Sequence, residues 1–308
     1  MRLSRTLALG ATMLVLIVSA CSSGGGSSNL PTVKVGAANF DEARIMAEAY
    51  AQVLENAGYT VNRDAVGLGA RPVLQPALES GQFDLQPEYI GSSLGSKAYG
   101  GKATGDPAAN LTALNAILAN RGGGITALNY TPAQDQNAFV VRKETADQLK
   151  LTKMSDVAAV QGQLKLGLAK DCPTNPLCSG ALKDAYGIDT SKATLLDACS
   201  TPMAQALAAK TIDLGELCST QPDIIVDNFV LLQDDKQTQP ADNISPLVRN
   251  DLLAKVDKAS FEKLLNDVSA KVDTATLTEL NKEVSVDKKD VKTVVSTWLK
   301  AQGLIKGS

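Results

Sequence analysis

The residues that could perform acid–base or nucleophilic chemistry here are carboxylates, serines and cysteines, because the 308 residues include no histidine. An imidazole titrates near neutral pH and binds zinc, so its absence excludes serine–histidine and cysteine–histidine nucleophiles and most catalytic zinc sites. Paired carboxylates can act without histidine, and Glu88 and Asp242 are the candidates for such a pair. Nothing in the sequence fixes their separation, so we predict no catalytic residues, and an envelope hydrolase is kept as an alternative.

Two glycine-rich segments resemble functional motifs but lack residues that the chemistry needs. The segment 91–95 fits G-x-S-x-G, yet Ser93 has no histidine to act as its base. Around Gly100-Gly101-Lys102, the first glycine and the final hydroxyl of a phosphate-binding loop are missing. The net charge of −3 and the pI near 5.2 offer no basic surface for nucleic acid. We therefore expect no cofactor, no metal and no nucleic-acid partner.

The N-terminus has the features of an export signal. Arg2 and Arg5 precede an apolar stretch from Leu7 to Val18, which is too short to be a comfortable permanent span. The stretch ends at Val18-Ser19-Ala20-Cys21, which resembles a bacterial lipobox. We predict a signal peptide at 1–20 and lipidation of Cys21, followed by a flexible Gly/Ser-rich tether at 21–31. An ordinary signal peptide is the alternative.

Four further cysteines lie within residues 172–218, and export would permit disulfides between them. Three pairings are possible, and we favour Cys172–Cys178 with Cys199–Cys218, which chain entropy makes worth about 2 and 3 kcal/mol. A zinc site is the competing interpretation, but CxxC spacing and histidine are both absent.

The elements that must position these residues alternate between strand and helix. Strands are expected at 32–36, 59–66 and 83–85, with helices between them, and a second set of strands at 137–142, 165–168, 213–217 and 224–226. This order predicts an α/β protein with mainly parallel sheets. After residues 233–236 the sequence predicts helices to the end, at 259–270, 273–284 and 287–302.

Several motifs in register resemble the osmoprotectant (glycine betaine, carnitine and choline) type of substrate-binding protein of ABC importers. They are Asn39-Phe40-Asp41-Glu42, the stretch 77–85 with Gly67-Leu68-Gly69, Pro87-Glu88-Tyr89-Ile90-Gly91, the segments 232–236 and 243–249, and the C-terminal 277–304. Together they cover nearly all of 32–305.

This resemblance implies a type II periplasmic-binding fold, with two lobes, a hinge and a central ligand cleft. Lobe one would comprise 32–137 and 240–308, and lobe two 138–239. The resemblance also implies a monomeric, membrane-anchored receptor that performs no chemistry. It would bind a small molecule by hinge closure and deliver it to ABC permease subunits. A sensory lipoprotein that has lost transport is a further alternative.

The resemblance places the candidate ligand-binding residues at the cleft. They are Asn39, Phe40, Asp41, Arg71, Tyr89, Asn137, Thr174, Thr220 and Asp242. For Asp41 a helix cap is an alternative role, for Phe40 a hydrophobic staple and for Thr220 a turn residue. Arg71 either faces the cleft, where its charge would oppose a cation, or extends to solvent.

The aromatic cage that relatives use for quaternary ammonium is altered here. Tyr89 matches a cage tyrosine, but Asn137 and Asp242 stand where relatives tend to carry tyrosine, and the loop 171–179 has no aromatic residue. One ring with Asn137, Asp242 and Arg71 favours hydrogen bonding. We predict a small polar solute, polyhydroxylated or phenolic, with Tyr89 stacked on its face. Binding of a glycine betaine-type solute in a partial cage is the alternative.

Overall fold

The structure is a computed structural model that describes residues 30–197 and 199–306. The predicted signal peptide at 1–20, the lipidation site Cys21 and all but the end of the tether lie outside these residues. Within them, no helix combines the length and apolar character needed to cross a membrane.

The strands and helices alternate along most of the described chain. The strands are β1 Val33–Ala38, β2 Val61–Gly69, β3 Leu85–Tyr89, β4 Ile125–Ala127, β5 Asn137–Arg142, β6 Leu166–Ala169, β7 Thr194–Leu196, β8 Leu214–Cys218, β9 Phe229–Leu231 and β10 Ile244–Arg249. The helices are α1 Asp41–Asn56, α2 Arg71–Ser80, α3 Ile90–Leu94, α4 Pro107–Leu118, α5 Lys143–Leu149, α6 Met154–Val160, α7 Thr201–Ala208, α8 Asp223–Val226, α9 Asn250–Leu253, α10 Lys258–Ser269, α11 Thr274–Ser285 and α12 Val291–Ala301.

The strands form two five-stranded sheets, ordered β2-β1-β3-β10-β4 in the first and β7-β6-β8-β5-β9 in the second. In the first, β1 is parallel to β2 and β3, whereas β10 is antiparallel to β3 and β4. In the second, β6 is parallel to β7 and β8, whereas β5 is antiparallel to β8 and β9. Because β4 is antiparallel to β10 and β9 is antiparallel to β5, four of the five strands in each sheet run in the same direction. The prediction of mainly parallel sheets is therefore confirmed, with β10 and β5 as the reversed strands. β5 and β10 each follow a segment that passes between the sheets, so neither needs the parallel direction of a βαβ unit.

Two local predictions are corrected by the structure. Residues 224–226 belong to the short helix α8, because an apolar run of this length does not distinguish strand from helix. The predicted all-helical C-terminal part contains β10, a buried strand in which Pro246 lies opposite Pro87. The three later helices, α10, α11 and α12, are confirmed within a few residues.

Helix α1 is the central helix of the first sheet's core. Its apolar residues, including Ile45 and Leu54, are buried against β1 and against the C-terminal helices α10–α12. On the opposite face of this sheet, Leu78 of α2 and Leu114 of α4 pack with Phe83. The first sheet and its helices thus hold the end of β3 and the start of α1 in fixed positions.

Both predicted disulfides are present. Cys172 is bonded to Cys178, and Cys199 is bonded to Cys218 at the end of β8. The pairing excludes the zinc interpretation for these cysteines, because a disulfide sulfur is not a thiolate ligand. Glu216 lies near Cys172 and Cys178 but therefore forms no metal site with them.

Two segments pass between the sheets, one joining β4 to β5 and the other joining β9 to β10. They are linked to each other: Gln134 and Asn243 form an antiparallel bridge, and the Asp135 N–H donates to the Asp242 carbonyl at 3.1 Å. The Gln136 amide donates to the Pro240 carbonyl at 2.7 Å. We call these two segments, residues 128–136 and 232–243, the crossover ribbon.

Candidate functional site

A cavity of about 460 Å³ lies between the two sheets, where the crossover ribbon passes from one to the other. Its walls come from three parts of the chain. The first-sheet side contributes Ala38, Asn39, Phe40, Ala70, Arg71, Leu74, Pro87, Glu88, Tyr89 and Ser92; the ribbon and its ends contribute Asp135, Gln136, Asn137, Gln239, Pro240 and Asp242; and the second-sheet side contributes Leu177 and Cys218. The volume suits a small molecule.

Only two aromatic rings line this cavity among the described residues. The centroids of Phe40 and Tyr89 lie 5.9 Å apart with an interplanar angle of 36°. Phe40 is the residue before the first turn of α1 and remains 45% exposed, so its ring is available to a ligand. Two tilted rings cannot surround a methylated cation, because such a group gains from several ring faces at once.

A buried carboxylate fixes the position of Tyr89. The Tyr89 hydroxyl donates to Glu42 Oε1 at 2.6 Å, and the Asn281 amide of α11 donates to Glu42 Oε2 at 2.5 Å. Asn281 also donates to the carbonyl of Thr220 at 3.2 Å. Burial raises the pKa of Glu42. Burial, together with the charge of Glu42, raises the pKa of Tyr89 well above its usual value. The ring of Tyr89 is therefore held rigidly in the cavity wall.

Arg71 lines the cavity in an ion pair with Glu88. Its Nη2 and Nε atoms donate to the two carboxylate oxygens at 2.9 and 3.2 Å, and its side chain is 27% exposed. The Tyr89 N–H also donates to Glu88 Oε1, at 2.8 Å. Arg71 thus lies in the cavity wall rather than extending to solvent, and Glu88 neutralises its charge.

Two more carboxylates lie on the crossover ribbon. The Ser92 N–H donates to Asp242 Oδ1 at 2.9 Å, and the Ser92 hydroxyl donates to Oδ2. Burial raises the pKa of Asp242 to about 6. Asp135 accepts a bond from the Thr220 hydroxyl at 2.8 Å. Burial and the negative charges of Glu42 and Asp242 raise the pKa of Asp135 well above its usual value.

The cavity brings together six of the nine predicted ligand residues. These are Asn39, Phe40, Arg71, Tyr89, Asn137 and Asp242. Their roles as ligand contacts stay predictions.

The other three predicted ligand residues do not line the cavity. Asp41 is the first residue of α1 and pairs with Arg44 at 3.8 Å; Phe40, not Asp41, occupies the N-cap position. Thr174 is exposed on a short turn and donates to the Asp171 carbonyl, and Leu177 of the same loop reaches the cavity instead. Thr220 is 2% exposed and contacts Asp135 from behind the wall.

Sequence reasoning did not select several residues that the structure shows at the site. Glu42 stands inside a quoted motif, and its acidic side chain next to Asp41 was the only signal for it. Asp135 lies just before the predicted second lobe and Gln239 is its last residue, and these positions could have marked both as ribbon residues. Asn281 lies on α11, 239 positions from Glu42, and no local pattern indicates this contact.

The chain is similar in sequence to known solute-binding proteins. Residues 31–301 match the family described as the substrate binding domain of the ABC-type glycine betaine transport system. The glycine betaine-binding protein YehZ of Escherichia coli is 27% identical over 288 residues, covering 89% of this chain and 92% of that protein. A carnitine transport binding protein of Listeria monocytogenes is 26% identical, with 78% of each chain covered.

Solved structures are similar over the same range. A crystal structure described as a glycine betaine/carnitine/choline ABC transporter has a TM-score of 0.81 at 23% identity, covering 89% of this chain and all of that one (100%). YehZ without ligand has a TM-score of 0.76 at 25% identity, covering 89% of this chain and 99% of the other. These similarities confirm the predicted type II periplasmic-binding fold.

Proposed function

Because the chain belongs to the family of substrate-binding domains of ABC-type glycine betaine transport systems, we propose that it captures a small polar solute outside the cytoplasm and delivers it to an ABC permease. The observation that carries the choice of solute is the composition of the cavity wall. Two rings line it, together with three carboxylates and four side-chain amides.

The two-sheet architecture supports capture by closure. The cavity takes residues from both sheets and from the ribbon that joins them, so a rotation of one sheet toward the other would enclose a solute. The division of the chain into lobes at 32–137 with 240–308 and at 138–239 is part of this proposal. The proposed hinge lies in the crossover ribbon.

The polar wall supports a solute with several hydrogen-bond donors, such as a polyhydroxylated compound. Asp135 and Asp242 are acceptors, and the amides of Asn39, Gln136 and Asn137 offer both donors and acceptors. The Tyr89 face can stack on a sugar-like or phenolic ring. The six lining residues predicted from the sequence are the proposed contacts.

A glycine betaine-type solute is the second candidate, and the relatives' names favour it. In that case Phe40 and Tyr89 would form a partial cage for the methylated ammonium. Carboxylate catalysis is less well supported, because Glu88 is engaged by Arg71 and Asp242 by Ser92.

The proposal includes a lipid anchor at Cys21, which would hold a monomeric receptor at the outer face of the cell membrane. Acyl chains contribute about 0.8 kcal/mol of membrane binding for each buried methylene. Metabolic labelling with a fatty-acid analogue should mark the wild type and not a Cys21→Ala variant.

Calorimetric titration tests the choice of solute. The panel contains glycine betaine, choline, sugars, polyols and phenols, and each compound is also followed for turnover. We expect a polyol or phenol to bind more tightly than either methylated compound, with no product formed. A Tyr89→Leu variant should weaken binding, whereas Asp267→Asn on α10, outside the cavity, should not. Micromolar glycine betaine binding would select the second candidate, and turnover would select an enzyme.

A further inference from the structure

The charges in the cavity wall narrow the class of solute, and this step rests on the proposed solute-binding function. The charged lining residues are Arg71, Glu88, Asp135 and Asp242. Arg71 is the cation among the described lining residues, and both carboxylate oxygens of Glu88 already accept its hydrogen bonds. The hydrogen bonds to Asp135 and Asp242 come from hydroxyl and backbone groups, which carry no charge. With Asp135 and Asp242 ionised, the wall therefore carries a net negative charge.

We propose that the solute is a hydroxyl-bearing compound with a protonated amine, whose N–H groups donate to Asp135 and Asp242. A protonated amine differs from a methylated ammonium because it donates hydrogen bonds, which two carboxylates can accept and two rings cannot. An anionic solute is disfavoured, since the guanidinium that would receive it is engaged by Glu88.

The repulsion among the carboxylates of the cavity wall supports this assignment. Asp135 faces Glu42 of α1, Tyr89 of β3 and Asp242, and Asp242 in turn faces Arg71 and Glu88. Burial raises the pKa of both aspartates; Glu42 and Asp242 raise the pKa of Asp135 further, whereas Arg71 lowers the pKa of Asp242 without cancelling the effect of burial. Their ionised forms therefore destabilise the unliganded fold. A cation placed between them would relieve that repulsion.

A matched series of ligands tests the charge preference. Glucamine, sorbitol and gluconate share a six-carbon hydroxylated chain and differ at one end, which is an ammonium, a hydroxymethyl or a carboxylate group. We expect glucamine to bind at least about tenfold more tightly than sorbitol, and gluconate most weakly. Asp135→Asn should remove the preference for glucamine while leaving sorbitol binding within about twofold. The Asp267→Asn variant is the control.

The outcomes separate this inference from the proposed function. If sorbitol or gluconate binds as well as glucamine, or if glucamine does not bind, the amine assignment is wrong. If no compound in the wider panel of methylated compounds, sugars, polyols and phenols binds, the solute-binding proposal itself fails.

The unliganded protein gives an independent test. Asparagine retains an oxygen for the Thr220 hydroxyl, so Asp135→Asn removes the charge without removing that bond. An acid whose pKa is raised by folding costs stability above that pKa, so this variant should melt about 2–4 °C higher than wild type at about pH 8. The gain should disappear at about pH 4, where the carboxyl groups are protonated. A lower melting temperature at about pH 8 would assign Asp135 a structural role and overturn the inference.

Discussion

The Tyr89 hydroxyl should contribute more to stability than an equally buried tyrosine hydroxyl elsewhere in the chain. It donates to the carboxylate of Glu42 at 2.6 Å, whereas the Tyr50 hydroxyl is paired with the hydroxyl of Ser269 at 3.0 Å. The two tyrosines are 8% and 0% exposed. Replacing each with phenylalanine keeps the ring and removes one hydrogen bond, so Tyr50→Phe is a matched control for Tyr89→Phe.

The acceptor's charge sets the expected difference. A bond to a charged group is worth about 1.5–3 kcal/mol and a bond between neutral groups about 0.5–1.5 kcal/mol. With an ionised Glu42 as the acceptor, Tyr89→Phe should therefore lower the free energy of unfolding by about 1 kcal/mol more than Tyr50→Phe does. Because burial raises the pKa of Glu42 above its usual value, the extra loss should diminish as the pH falls and Glu42 takes up a proton.

Urea denaturation of both variants, at alkaline and acidic pH, measures these losses. Equal losses for the two variants at alkaline pH would show that the Tyr89–Glu42 bond is not charge-assisted. A difference that persists unchanged in acid would show that Glu42 is not the group responsible.

Three further predictions concern the cavity wall. Glu88→Gln should leave Arg71 without its anionic partner and lower the free energy of unfolding by about 1–3 kcal/mol. Calorimetry should then detect gluconate binding. If the variant still does not bind gluconate, the neutralising role of Glu88 is contradicted. Replacing Cys199 and Cys218 with serine should cost about 3 kcal/mol in urea denaturation and weaken solute binding, because Cys218 lines the cavity. Solute affinity, followed by calorimetry, should fall as the pH is lowered through about 6, where Asp242 becomes protonated. An Asp242→Asn variant that keeps this step would assign it to another group.

The parts of the site carried on continuous motifs could be predicted from the sequence. Phe40 follows β1 and Tyr89 is the last residue of β3, and strand ends in such folds converge on the ligand site. Arg71 begins α2 directly after β2, so its position at the same edge follows from the order of elements.

The remaining contacts depend on how separate elements pack, which no local pattern encodes. Whether Arg71 carries a free charge depends on Glu88, 17 residues away, and was left open by the sequence. The loop that carries Thr174 was identified correctly, but Leu177 and not Thr174 lines the cavity. Strand β10 was missed because residues 244–249, ISPLVR, are buried on both faces and show no alternation.

The crossover ribbon constrains how the solute can be recognised over time. Asp135 and Asp242 lie opposite each other on the two segments, and the Asp135 N–H donates a hydrogen bond to the Asp242 carbonyl. A rotation of the sheets about this ribbon would carry Leu177 and Phe40 through a wide arc but leave the two carboxylates at nearly constant separation, since they lie close to the axis. The two carboxylates would then already be in position when a solute enters the open cavity. Selection by charge would precede the slower enclosure by apolar side chains.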